Sequence, residues 1–225
     1  MNIITLIPSK NTSTRVKNKN LKKLFGKPLI NYTIEAAIKS NLDKKEIYIS
    51  SESYKFEKIA NNFKINFTKR PARLSTKKAS TESVIIHFLT KIPFKNYDWI
   101  LILPPTSPLR DYKEINKMID FSKNSKTYYD SILSCYLNNG DFWKIKGNYI
   151  DRIQKKEPRN SETRKPLIEE NSAMYLLRIK SFLKNKLITK GKIGYFPMSR
   201  IKSWDINTKS DFNLVELIMK NKQKL

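Results

Sequence analysis

Residues 99–103 read WILIL, an apolar run with no polar interruption. A strand with one wet face would alternate, so this run suits a central strand covered on both sides. Around it, short β-like runs alternate with helix-like segments. Strands are expected at Asn2–Leu6, Glu46–Ser50, Asn66–Lys69 and Ser131–Tyr136, and helices at Pro28–Ser40, Tyr54–Phe63, Ser80–Lys91 and Tyr112–Lys123. Leu29, Tyr32, Thr33, Ala36 and Ala37 recur at helical spacing. Pro28 suits a first helical turn, and Ser80 is placed to cap. Alternation of this kind predicts an α/β fold, a mostly parallel sheet with helices on both faces.

Such sheets bind ligands beyond the carboxyl ends of their strands. The polar loops Pro8–Asn20, Ser50–Glu52 and Pro104–Arg110 are therefore expected to meet at one edge. Residues 138–170 break the rhythm: NNGDFWKIKGNY looks like a hairpin and runs into the charged stretch QKKEPRNSETRKP. We read them as an excursion protruding from a single domain spanning 1–225, with regular structure resuming at Ala173–Leu177 and Gly194–Met198. Ser210–Lys220 reads as a closing amphipathic helix.

A chain of 225 residues with 39% hydrophobic residues can bury a real core. The apolar opening is too short for a signal peptide or a membrane span, and the lone Cys135 offers no internal disulfide, so a cytoplasmic setting is expected. The net charge of +25 favours capture of small anions such as nucleotides. Its lysines are spread along the whole chain rather than gathered into a stripe, which argues against a nucleic-acid partner.

Several chemistries are excluded. There is no GxxxxGK[ST] loop and no GxGxxG turn, and five glycines leave little room for either. His87 lies within the apolar run VIIHFL, with no second His or Cys cluster to form a zinc site. What remains is a phosphate-handling loop made of side chains, IPSKNTSTRVKNKN at 7–20. Lys10, Arg15, Lys17 and Lys19 can offset a triphosphate's charge, and Asn11, Ser13 and Asn20 can donate to its oxygens. A solvated cationic loop would have the same composition. A triphosphate brings Mg²⁺, which takes hard oxygen ligands. Asp205, beside Asn207 in SWDINTKSDF, can serve as such a ligand or can cap the next helix together with Thr208.

These segments, in order, resemble the acylneuraminate cytidylyltransferases. IPSKNTSTRVKNKN is similar to the family's opening IPARxGSKxxxxKN, and GKPLINYTIEAAIKS follows it. RPARL at 70–74, LPPTSPLR at 103–110, ENSAMYL at 170–176 and WDINTKSDF at 204–212 resemble RPxxL, LQPTSPLR, NGAIY and DIDTxxDF. The resemblance implies a Rossmann-like nucleotidyltransferase fold, commonly a homodimer that exchanges the 138–170 excursion. It also implies a reaction of CTP with a 2-keto-3-deoxy sugar acid, giving the CMP-sugar and pyrophosphate, with Mg²⁺ as cofactor. By alignment, Lys10, Lys19 and Asp205 would be the catalytic positions. Ser13, Arg15, Asn20, Arg70 and Ser80 would hold CTP, with Arg70 and Ser80 at cytosine. Lys144, Asn171 and Tyr175 would face the sugar acid, and Asp205 and Asn207 would hold the metal. Arg110 is expected to brace the PTSP turn.

The chain also departs from that pattern, and the departures fall at the site. Lys10 replaces an arginine, Thr12 a glycine, Thr14 a lysine, Pro104 a glutamine, Lys77 an aspartate and Ser172 a glycine. Asn207 stands where the family's second carboxylate would be, so it brings a carbonyl ligand without charge. Either a diverged specificity or a nucleotide-binding protein with weak or no turnover accounts for this pattern.

Overall fold

The computed structural model describes residues 1–13 and 15–222; the expectation attached to Thr14 falls outside them. The chain alternates β1 (Ile3–Pro8), a small hairpin of β2 (Lys23–Leu24) and β3 (Lys27–Pro28), α1 (Leu29–Lys39), β4 (Ile47–Ser51), α2 (Tyr54–Phe63), β5 (Asn66–Lys69), α3 (Thr81–Leu89), β6 (Trp99–Ile102) and α4 (Tyr112–Asn124). It continues through β7 (Ser131–Asn138), the hairpin β8 (Trp143–Lys146) and β9 (Tyr149–Arg152), β10 (Leu167–Arg178), α5 (Ile179–Asn185), β11 (Ile193–Pro197) and α6 (Lys209–Lys222).

The main sheet has the order β11-β7-β10-β6-β1-β4-β5. Every neighbouring pair is parallel except those of β10, which runs antiparallel to both β6 and β7. The WILI segment is β6, inside the sheet and buried at every residue. One face is covered by α1, α2 and α4 through Ile30, Ile34, Phe56, Ile115 and Met118. The other is covered by α3 and α5 through Ile85, Phe88 and Phe182. A third apolar cluster joins α6 to the first loop through Val16, Leu24, Leu109, Ile206, Phe212 and Val215. The carboxyl edge of the sheet is thereby packed from below as well as roofed by loops.

The expected elements are present, with small shifts. Pro28 closes the β2–β3 hairpin and stands just outside α1 rather than in its first turn. Ser80 caps α3, its Oγ accepting from the Ser83 amide at 3.1 Å. The break in rhythm is narrower than 138–170: β7 runs to Asn138 and pairs with β10 from Leu167 onward. The intervening segment carries the β8–β9 hairpin, whose residues are largely exposed. Three elements gave no clear periodic signal, the two-residue strands β2 and β3 and the seven-residue α5. Among the described residues, no helix is long and apolar enough to cross a membrane.

β10 is longer than periodicity implied because it contains an irregularity: its register with β7 shifts between Glu170 and Tyr175. Ser172 sits in this bulge at φ 54°, a left-handed backbone that costs a side-chain-bearing residue about 1 kcal/mol or more. Ser172→Gly should therefore raise unfolding stability by about 0.5–1 kcal/mol, whereas Ser172→Ala should not. Paired urea titrations check this.

Candidate active site

A cleft lined without glycine must hold its loops by side chains, and two buried arginines do so. Arg70 is 4% exposed. Its Nε donates to Ser75 Oγ at 2.9 Å, one terminal nitrogen to the Ser50 carbonyl at 2.9 Å, and the other to the Ser9 carbonyl at 2.8 Å. The ends of β1, β4 and β5 are thus tied to one guanidinium. Glu52 completes the cluster at 3.7 Å from it and accepts from the Asn11 amide (2.7 Å) and the Ser75 hydroxyl (2.6 Å). Thr12, where the resembling family has glycine, donates its hydroxyl to the Ser75 carbonyl at 2.6 Å. The second arginine, Arg110, is 1% exposed and has no carboxylate partner among the described residues. It donates to the Ala173 carbonyl (2.7 Å), the Thr33 hydroxyl (2.7 Å) and the Pro104 carbonyl (3.3 Å). Burial pushes its pKa down to about 9. The expected brace of the PTSP turn is this clamp, and it also grips the β10 bulge.

Above these braces, three cavities run one into the next. The first, of about 270 Å³, is lined by Lys10, Ser13, Lys19, Asn20, Arg70 and Ser80, with Pro104 and Thr106 on one wall. The second, of about 410 Å³, shares Lys10, Ser13 and Lys19 and adds Arg15, Lys77 and Asn207. The third, of about 490 Å³, shares Asn207 and is lined by Glu170, Asn171, Arg200, Trp204 and Asp205 among others. Another cleft, at the opposite end of the strands, carries Asp43 and Glu46 and is poorly suited to anions.

Lys19 sits where the loops converge. Its ammonium donates to the Ile206 carbonyl, while the Ile206 amide donates to the Thr106 carbonyl at 2.8 Å. The first loop, the PTSP turn and the DIN segment are joined at this one residue. Burial draws the Lys19 ammonium below the ordinary lysine range, against Asp205 pulling upward and with Arg15 and Lys10 adding to the depression. Lys10, Arg15 and Asp205 thus all lie close enough to act on the Lys19 ammonium. Lys19 is further ordered by its amide, which donates to Ser13 Oγ at 2.7 Å. Asn20 is buried with its carbonyl oxygen unpaired, and Ser80 lies at the helix start on the same wall.

Asp205 does not cap the following helix. Thr208 and Asp211 do, in a reciprocal box: Asp211 Oδ2 accepts from the Thr208 amide (2.7 Å) and the Thr208 hydroxyl accepts from the Asp211 amide (3.2 Å). This leaves Asp205 with one oxygen buried and unpaired, while the other accepts from Asn207 Nδ2 at 2.6 Å. An unpaired buried carboxylate oxygen fits a cation. Asn207 donates from Nδ2, which leaves its carbonyl oxygen as a further candidate ligand. Among the described residues no three His, Cys, Asp or Glu side chains gather as a metal site. An Mg²⁺ here would complete its shell with phosphate oxygens and water.

The three sugar-facing expectations fare differently. Tyr175 donates to Glu170 Oε1 at 2.6 Å, and burial, with Glu170 and Asp205 nearby, pushes its phenol up. Asn171 lines the third cavity, yet its amide is occupied by protein. Its oxygen accepts from Ser134 and Ala173, and its nitrogen donates to Ser203 and contacts the Met198 sulfur. Lys144 is exposed on the β8–β9 hairpin and lines none of the three cavities. Glu52 and Arg200 were not singled out from sequence for these positions, whereas Lys77 was noted as a departure and lines the second cavity. Of the two that were missed, only Glu52 had a signal, its place at a strand end.

Residues 4–221 match the cytidylyltransferase family model. The chain belongs to the cytidylyltransferase family. It is 30% identical over 235 residues to an N-acylneuraminate cytidylyltransferase of Escherichia coli O18:K1:H7, covering 99% of this chain and 54% of that one. It is 28% identical to a CMP-N,N'-diacetyllegionaminic acid synthase of Legionella pneumophila, covering 100% and 99% of the two chains. A solved CMP:2-keto-3-deoxy-manno-octonic acid synthetase complexed with CTP shares the fold with a TM-score of 0.73 at 13% identity, covering 99% of this chain and 100% of that one. The chain spans about half the length of the E. coli and Streptococcus agalactiae relatives that it matches.

Glu52 should give this chain an acid response. Burial raises its carboxyl, but hydrogen bonds from Ser75 and Asn11 and the Arg70 charge outweigh that and hold it below the usual range. Its contribution to stability is then present above the unfolded carboxyl pKa of about 4.3 and is lost as pH falls through the folded value. Glu52→Gln should lower stability at pH 7 by about 1–3 kcal/mol, and the difference from wild type should shrink below about pH 4. Denaturant melts at pH 3.5, 5 and 7 check the sign.

Proposed function

We propose that the protein is a cytoplasmic, Mg²⁺-dependent cytidylyltransferase that joins CTP to a nonulosonic, sialic-acid-like sugar acid, releasing pyrophosphate. One observation carries this reading: Lys10, Ser13 and Lys19 are shared by two adjoining cavities, and Asn207 links the second to the chamber of Asp205. A pocket for the base, a cationic channel for the triphosphate and a polar chamber for the sugar follow one another in the order the reaction requires. The relatives named above support the substrate class.

In this reading the cytosine lies against Ser80 at the start of α3, and the ribose hydroxyls meet the unpaired carbonyl of Asn20. Arg70 acts as the brace of that pocket, since its bonds already go to Ser9, Ser50 and Ser75. Lys10, Arg15, Lys19 and Lys77 flank the phosphates. Asp205, assisted by Asn207, would hold Mg²⁺, which when bound offsets charge on the triphosphate. The sugar's anomeric hydroxyl attacks the α-phosphate, loses its proton, and the bond to the bridging oxygen breaks as pyrophosphate departs. Preorganised cations do most of the work, because positioning and charge stabilisation dominate phosphoryl transfer. The exposed β8–β9 hairpin supports a homodimer in which that hairpin meets the second copy.

Pyrophosphate release from CTP and Mg²⁺ with neuraminic, legionaminic, pseudaminic and octulosonic acids should be positive for one of the panel. Lys19→Ala should lower kcat/KM by about 10²–10³-fold with the fold intact by circular dichroism. Silence across the panel with folded protein would overturn the reading.

A second reading, a nucleotide-binding protein with weak turnover, is favoured by Asn207 turning its amide nitrogen to Asp205. Asn207→Asp separates the two. A gain of about tenfold or more in Mg²⁺ affinity, measured by calorimetry with CTP present, together with faster release, marks a slowed enzyme. CTP binding without product in both proteins marks a binder.

A further inference from the structure

The sugar acid of the proposed reaction carries a carboxylate, and the alignment pointed to Lys144 as its partner. The third cavity offers a different cation. Arg200 is the only Lys or Arg among the described residues that line it. Other cations near this end of the molecule are committed elsewhere. Lys202 is ion-paired to Glu114 at 2.7 Å and to Asp111 at 3.0 Å. Arg164 is buried in the excursion, donating to the Asn139 and Pro158 carbonyls. Arg152 is paired with Asp141 at 2.7 Å. Arg200 has no ion-pair partner among the described residues, and its guanidinium lies 5.9 Å from the centre of the Tyr136 ring, which also lines the cavity.

The remaining walls are unsuited to an anion and suited to the rest of a sugar. Asp205 holds the metal position in the proposed reading, and Asp211 is spent on its cap. Glu169 accepts from Asn138 Nδ2 at 2.7 Å and Glu170 from the Tyr175 hydroxyl. Such acceptors receive hydroxyl and amide N–H donors but repel a carboxylate everywhere except beside Arg200. A guanidinium can meet a carboxylate with two parallel hydrogen bonds, which fixes orientation as well as charge.

We propose that Arg200 is the specificity residue that receives the carboxylate of the sugar acid, setting its anomeric hydroxyl toward the α-phosphate. This rests on the cytidylyltransferase reading. It assigns the anchor to the segment just before the Asp205 loop and not to the hairpin lysine. Anchor and metal position would then lie on one short stretch of chain, 200–207, so substrate and metal would be ordered together.

The test uses the full-length protein with CTP, Mg²⁺ and the sugar acid of the panel that turns over. Arg200→Gln should raise the KM for the sugar acid by about tenfold to a hundredfold, the loss of a charged hydrogen-bonded contact, while calorimetric CTP affinity stays within about twofold. Arg200→Lys should recover part of the loss, and Lys144→Gln should change that KM by less than about threefold. Wild type should discriminate the acid from its neutral carboxamide, and Arg200→Gln should not. An unchanged sugar KM in Arg200→Gln, or a loss carried by Lys144→Gln instead, overturns the assignment while leaving the enzymatic reading standing. If wild type turns over no member of the panel, calorimetry with the same acids and CTP decides. Binding that Arg200→Gln abolishes supports the anchor, and no binding to wild type overturns it along with the reaction.

Discussion

The buried guanidinium of Arg70 is the interaction on which the cleft depends. The chain has five glycines, so its loops cannot wrap a ligand with bare backbone and must be positioned by side chains. Arg70 does this by donating to carbonyls at the ends of β1 and β4 and to the segment after β5. A buried cation without partners would be strongly destabilising, so Glu52 and three acceptors are part of the same device. Arg110 repeats the logic on the other side, joining α1, the PTSP turn and the β10 bulge through neutral acceptors alone. Between the two braces the first loop is tied by side-chain hydrogen bonds to the strand ends beside it.

The cleft is graded in charge. Four cations line the middle cavity, whereas the third is dominated by carboxylates with Arg200 as its cation among the described residues. Lys77 contributes to this gradient from a position where the resembling family carries an aspartate, so that departure adds to the positive charge of the middle cavity rather than subtracting from it. Pro104 is also accommodated: it lines the first cavity, and its carbonyl serves Arg110. Asn207 is the departure with a chemical consequence, because it leaves Asp205 as the sole carboxylate of the DIN segment. Lys19 adds to that consequence. Its ammonium lies in the field of Asp205 and bonds the Ile206 carbonyl, so the first loop and the DIN segment are electrostatically coupled.

Much of this was legible in the residues. Uninterrupted apolar runs marked the interior strands, helical spacing marked α1 to α4, and polar loops at strand ends marked the edge where a ligand would bind. Lys10, Ser13, Arg15, Lys19, Asn20, Arg70 and Ser80 do line one connected space. The roles within it were less legible. Arg70 reads from sequence as a ligand-facing cation and proves to have its hydrogen bonds turned inward. Asn171 likewise lies at the predicted chamber with its amide occupied by neighbours. Short elements such as β2, β3 and α5 were missed because two to seven residues carry too little periodicity, and their conformation is set by the surfaces they pack on.

By itself, the sequence determined the family, the α/β layering and the edge of the sheet at which the polar loops gather, since these follow from local pattern and from ordered motifs. The tertiary structure alone decided which polar side chains are free to meet a ligand and which are consumed in holding the site. That choice turns on hydrogen-bond partners tens of residues apart, such as Arg70 with Ser9 or Arg110 with Ala173, and no local window contains both members of such a pair. The same distance in sequence separates Lys144 from Arg200, and only folding put the second of them, and not the first, on the wall beside Asp205.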